Sequence, residues 1–200
     1  GSVSLGYSVR DADTTTGTYI PGLVIPTFQY SIDGGSNWIN IASTSFTVGD
    51  AYPKAVGEVS YTTHSATWNA VGTVSNTYTI SAQMRVVVND GEAANNRATS
   101  TTASFTLDTK VPTYGSIPLH IDISSTPANI YLSCSDDSSI EMRISKVSDL
   151  SDASWITYNA TSTLSVSDGE TVYAQCRDQY ANTAAIQSAT APAQLTGMFY

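Results

Sequence analysis

The chain has 200 residues and a formal net charge of -9, with eight Lys and Arg against seventeen Asp and Glu, a balance that would repel a phosphate backbone and an anionic lipid surface alike. Only 12% of residues are charged and 41% are hydrophobic, enough for two domains of roughly 100 residues each to bury a core under a surface made mostly of Ser, Thr, Asn and Gln. Neither nucleic-acid binding nor membrane insertion is expected: no window approaches the roughly 18 consecutive apolar residues of a membrane span, and the N-terminus has no basic-then-apolar leader pattern.

Period-two alternation dominates, so the chain reads as all-β. VSLGYSVRD (3–11) places Val3, Leu5, Tyr7 and Val9 on one face. LVIPTFQYSID (23–33) and WINIA (38–42) flank DGGSN, a hairpin connection. SYTTHSATW (60–68), YTISAQMRVVVND (78–90) and ATSTTASFTLD (98–108) follow. Prolines and a glycine in DTKVPTYGSIP (108–118) break the alternation and mark a boundary. Beyond it, LHIDI (119–123), NIYLSCSD (129–136), IEMRISK (140–146), SWITYN (154–159), STLSVSD (162–168), TVYAQCRD (171–178) and TAAIQSA (183–189) predict seven short strands, the number of a minimal sandwich.

The two halves overlay by their aspartates. Val9 and Asp11 match Cys134 and Asp136, Val88 and Asp90 match Cys176 and Asp178, and Trp38 and Trp155 each open the strand after the hairpin. A repeat of roughly one hundred residues follows.

Residues 133–184, running from SCSDDSS through MRISK and SW to VYAQCRDQYAN, resemble the immunoglobulin-like repeats of large bacterial and archaeal surface proteins. YSVRDAD, YSIDGGSNW and ATWNA, spread over 7–70, are similar to bacterial fibronectin type III-like repeats. The resemblance implies two tandem immunoglobulin-like β-sandwich domains: 1–110, fibronectin type III-like with its first strand missing; 111–190, immunoglobulin-like; and 191–200, a tail or linker. It implies spacing, display or adhesion at a cell surface, and no catalysis.

In that frame Cys134 ends the second strand and Cys176 the sixth, both on inward faces on opposite sides of the sandwich, so a disulfide would staple the two sheets. The alternative is a pair of buried thiols packing as small hydrophobes. Their spacing and the lack of other soft ligands exclude a redox or zinc motif, and a bridge implies an oxidising compartment. Tyr173 stands three residues before Cys176 rather than two, which removes the tyrosine corner of antibody-type domains. Asp11, Asp13 and Asp90 would gather at one pole of the first sandwich, and Asp136 and Asp137 with Asp178 at one pole of the second, facing the linker that carries Asp108. Asp108, Asp136, Asp137 and Asp178 are therefore candidate calcium ligands, against the plainer role of aspartates that cap loops by accepting backbone N–H bonds.

His64 and His120 stand alone in strand-like settings, and no G-x-S-x-G elbow or phosphate loop is present. An intramolecular isopeptide bond through Lys54, Lys110 or Lys146 is not expected, since Lys110 sits in the linker and Lys54 in a loop. Trp38, Trp68 and Trp155 could stack on sugars, but the recurrence of two of them points to packing. The first domain begins at what would be its second strand, and the tail carries apolar Leu195, Met198 and Phe199. Either a longer array of repeats is cut here, or the tail of one copy supplies the missing strand of the next. The expected function is a non-enzymatic extracellular module, structural or adhesive, of a prokaryotic surface or filament protein whose partners are adjacent repeats or identical subunits. The alternative is a carbohydrate-binding accessory module of a secreted hydrolase, with a glycan as partner.

Overall fold

The structure is a computed structural model that describes residues 1–12, 22–47, 53–91 and 97–193. It is all-β; among the described residues the strands pair in antiparallel ladders and no sheet is closed into a barrel. The chain divides into two compact units, Gly1–Thr109 and Lys110–Tyr200.

In the first unit β1 (Ser2–Val9) pairs with β5 (Thr62–Asn69) as a two-stranded sheet. A second sheet contains β2 (Leu23–Ser31), β3 (Ile39–Asn40), β4 (Lys54–Ala55), β6 (Tyr78–Asn89), β7 (Arg97–Thr101) and β8 (Phe105–Asp108), in the order β3-β2-β6-β7 with β4 on β2 and β8 on β6. The alternation of β1 sorts its residues cleanly: Leu5, Tyr7 and Val9 are buried while Ser4, Gly6 and Ser8 face water. They meet Phe28, Met84 and Trp68 in one core. Trp68 is completely buried, stacks on Tyr30 at 5.1 Å and donates its indole N–H to Thr73 Oγ1 at 3.0 Å, so it packs this core and offers no sugar platform.

The stretch 98–108, expected as one strand, is two. β7 pairs with Arg85–Asn89 and β8 with Tyr78–Ala82 of the same long β6. At the break Thr102 Oγ1 accepts the Met84 N–H at 3.0 Å while the Thr102 N–H donates to Met84 O, so a side chain replaces one rung of the ladder.

In the second unit β9 (Thr113–Asp122), β10 (Ala128–Ser135) and β13 (Thr161–Leu164) form a sheet ordered β13-β10-β9. The other sheet holds β11 (Ile140–Ser145), β12 (Ile156–Thr157), β14 (Thr171–Asp178) and β15 (Gln187–Thr190), ordered β12-β11-β14-β15. Ile130, Leu132, Met142, Val172, Ala174 and Cys176 are the centre of its core.

Two sequence expectations shift here. The proline-containing stretch before Leu119 is largely strand, since β9 starts at Thr113; Pro118 is tolerated because β9 is an edge, and Gly115 is required because a Cβ there would collide with Ser133 Oγ. The last strand starts at Gln187 rather than Thr183, because Gln175 Nε2 holds Ala184 O at 2.8 Å and keeps residues before it in a loop.

The repeat is real in the ladders but displaced from the aspartate overlay. β2 pairs with β6 so that Ser31, Gln29 and Phe28 face Gln83, Arg85 and Val86; β11 pairs with β14 so that Ser145, Arg143 and Met142 face Tyr173, Gln175 and Cys176. Aligned on the buried Ser31 and Ser145, Cys176 corresponds to Val86, two residues earlier than Val88. Both valines lie on the same face of β6, which is why the alternation alone could not separate them.

Candidate functional site

Cys134 and Cys176 form a disulfide with their Cα atoms 6.7 Å apart, joining β10 in one sheet to β14 in the other. Between Leu132 and Cys134 the β9–β10 register shifts, five residues of β9 standing against two of β10, and the Cys134 N–H, like that of Leu132, points away from β9. Tyrosine hydroxyls serve both half-cystines. Cys134 N donates to Tyr158 OH at 3.1 Å, and that hydroxyl donates to Leu132 O at 2.7 Å. Cys176 N donates to Tyr114 OH at 3.3 Å, and Tyr114 donates to Ala185 O at 2.7 Å. Burial pushes the Tyr114 phenol above its ordinary range, so the hydroxyl stays a donor. Sequence reasoning missed both tyrosines, because neither lies at the corner position that the motif would assign.

The aspartates cap loops. Asp178 is 1% exposed; its Oδ1 accepts from the N–H groups of Tyr180 and Asn182, both at 2.8 Å, and its Oδ2 from Asn182 Nδ2 at 2.6 Å. Asp136 Oδ1 accepts from Ser138 N and Ser138 Oγ, both at 2.9 Å, while its Oδ2 is buried without a hydrogen-bond partner. The Asp136 and Asp178 carboxylates approach within 4.8 Å of each other. Asp137 instead pairs with Lys110 Nζ at 2.6 Å. Asp108 is buried at the end of β8 in the first unit. Asp11 N donates to Gly57 O at 3.2 Å, and Asp13 lies outside the described residues.

Leu195, Met198 and Phe199 also lie outside the described residues. His64 Nε2 sits 2.7 Å from Ala55 O, and His120 stacks on Tyr131. The Ser167 N–H donates to Glu170 at 2.8 Å and, with Lys146 at 2.9 Å, holds the Glu170 carboxyl below its ordinary range.

A device absent from the sequence reading recurs in both units. In the first, Arg85 donates to Gln29 Oε1 across the ladder and lies 4.2 Å from the Trp38 ring centroid, while Gln29 Nε2 donates to Asn40 Oδ1 at 2.6 Å. In the second, Arg143 donates twice to Gln175 Oε1, at 3.1 and 2.7 Å, and both Arg143 and Arg177 lie over Trp155, at 4.6 and 4.4 Å. Arginine and glutamine have traded strands, Gln29 on β2 and Arg85 on β6 against Arg143 on β11 and Gln175 on β14, yet each pair still covers the indole of the next strand. A guanidinium over a ring contributes about 0.5–1 kcal/mol at the surface and occupies the π-face that a sugar would use.

The described surface of the first unit also carries a groove of about 730 Å³ beside this clamp, with Gln29, Asn40, Arg85 and Arg97 among its polar lining and Ile25 and Ile41 among its apolar. Comparison of the chain with protein-family models and with curated protein sequences finds no match.

Proposed function

We propose that this chain is a non-enzymatic structural or adhesive module of an extracellular surface or filament protein, built from fibronectin type III-like and immunoglobulin-like repeats. The observation that carries the reading is the recurrence of the same polar devices in both units. A buried serine ends β2 and β11 alike, and an Arg–Gln pair clamps a tryptophan in each. These groups hold strands and turns to one another, which suits a part whose task is to keep its shape. The sheet-to-sheet disulfide supports residence in an oxidising space outside the cell. Adjacent repeats or further copies are the partners this role calls for.

The groove of the first unit favours one second reading, a carbohydrate-binding accessory module, because its Asn, Gln and Arg groups could bond hydroxyls. Isothermal titration against a panel of polysaccharides and oligosaccharides separates the two. The structural reading expects no saturable binding. Saturable binding that disappears in both Asn40→Ala and Arg97→Ala would transfer the chain to the carbohydrate-binding class.

A further inference from the structure

One motif of the second unit has no part in its core, its disulfide or its tryptophan clamp. Asn159 is the single asparagine of the chain with a Ser or Thr two positions on, and the residue between them is Ala160 rather than proline. Asn159-Ala160-Thr161 therefore has the pattern of an N-glycosylation acceptor. In a chain so rich in Ser and Thr the pattern gains meaning only from where it stands.

Residues 158–160 carry the chain from β12, at the edge of one sheet, to β13, at the edge of the other. β9 and β15 meet on the opposite side of the sandwich, so both edges and the crossover share one side. The backbone is pinned on each flank of Asn159: Tyr158 N donates to Ile140 O and Leu132 N donates to Ala160 O, both at 3.0 Å. Asn159, Ala160 and Thr161 are all exposed. Asn159 Oδ1 accepts the Thr161 N–H at 3.2 Å, while neither Asn159 Nδ2 nor Thr161 Oγ1 is hydrogen-bonded to another described residue. The two atoms that the modification needs are thus held at the surface and left unused.

The same side of the sandwich is poorly defended. Among the described residues β12 and β13 each pair on one side only, and residues 153–167 contain no charged side chain and no proline, two devices by which edge strands refuse partners. Ile156 on β12 is 54% exposed, and Tyr131, opposite Thr161 in the β10–β13 ladder, is 40% exposed.

We propose that Asn159 is an N-glycosylation site and that its oligosaccharide shields the two edges it stands between. A bulky, hydrated chain rooted there keeps other strands from the free backbone of β12 and β13. The donor is an oligosaccharide linked through phosphate to a polyprenyl lipid. Asn159 Nδ2 bonds to the anomeric carbon as that carbon's bond to the phosphate oxygen breaks; one amide proton passes to a base of the transferase, and the lipid phosphate leaves with the bonding electron pair. Thr161 Oγ1 is the group by which the transferase recognises the acceptor. The step requires an exported chain, so it rests on the extracellular reading above.

The whole chain, secreted by a host that N-glycosylates its exports, should carry the mass of one oligosaccharide, located by peptide mapping at Asn159. Asn159→Asp keeps an oxygen for the Thr161 N–H but has no amide nitrogen, so it should lose the added mass and keep the melting temperature of the unmodified chain. Thr161→Val should lose the added mass too, and Thr161→Ser should retain it. A secreted chain without added mass, but with the Cys134–Cys176 bond that marks passage through an oxidising compartment, overturns the site. So does added mass that survives in Asn159→Asp. For the shield, light scattering over a concentration series should show the wild-type chain from a host without N-glycosylation growing in mass while the glycosylated chain stays single. Equal scattering from the two overturns the shield. Saturable sugar binding at the groove of the first unit would instead defeat the structural reading and leave the mass of the secreted chain unchanged.

Discussion

Asp33 lies at the surface, yet its carboxyl is pulled down to about 2 by Ser31 Oγ at 2.6 Å, Asn37 Nδ2 at 2.6 Å and the Asn37 N–H at 2.9 Å. These groups bond the ionised form, so the folded chain holds the proton less tightly than the unfolded chain does. The sign follows: the stabilisation is fully present above the unfolded value near pH 4 and is lost as pH falls through about 2. The Asp33 carboxyl carbon, followed by NMR, should titrate near 2, and Asp33→Asn should flatten the acid dependence of the first unit in that window. A midpoint near 4 would show that the turn is not locked by this side chain. Asp178 likewise caps a loop, here buried, where losing the acceptor strands two backbone N–H groups. Asp178→Ala should cost about 3 kcal/mol in urea unfolding of the second unit; a loss within 0.5 kcal/mol, about the effect of an ordinary surface substitution, would mean that Asn182 and its loop do not need it.

At the level of elements, the β2–β3 turn depends on backbone that only glycine adopts without strain. Gly34 and Gly35 have φ of +69° and +88°, and a Cβ on Gly35 would also meet Gln83 Oε1 at 2.7 Å. Gly35→Ala should therefore destabilise the first unit by about 1–3 kcal/mol, read from its chemical denaturation midpoint, while Ala at Gly6, where a Cβ meets nothing within 4 Å, should be nearly neutral. Equal effects at the two positions would refute the strain argument. Most strands were legible in the sequence, because a half-buried strand writes its burial in alternate residues, as in Leu5, Tyr7 and Val9. The start of β9 was not: Gly115 and Pro118 are breakers in a central strand but fit an edge strand crossed closely by Ser133. The cysteines announced themselves by replacing core residues at strand ends. The Arg–Gln clamps could not be read, since the partners lie 56 and 32 residues apart and exchange strands between units. The tyrosine hydroxyls on the half-cystines were equally hidden, because Tyr158 and Tyr114 lie 24 and 62 residues from the backbone N–H groups they accept from.

For the whole molecule, the unequal distribution of covalent bonding matters most. Each unit has its own core, and only the second is cross-linked, with 42 residues of sequence separation between the bonded cysteines. Constraining a loop of that length in the unfolded chain is worth about 4 kcal/mol on chain entropy. Reduction should therefore lower the melting temperature of the second unit and leave the first unchanged. Under force the same bond acts as a length limiter. With the disulfide intact, pulling on the two ends of the second unit releases the residues outside the bridge and leaves those between Cys134 and Cys176 folded out of the path. Reductant should lengthen its unfolding step by about 150 Å, the extended span of those 42 residues. The step of the first unit, which has no cysteine, should keep its length. Single-molecule pulling of the same preparation with and without reductant reads both steps. If the longer step fails to appear, or if it appears in the first unit, the bridge is not what sets the extensibility of this chain.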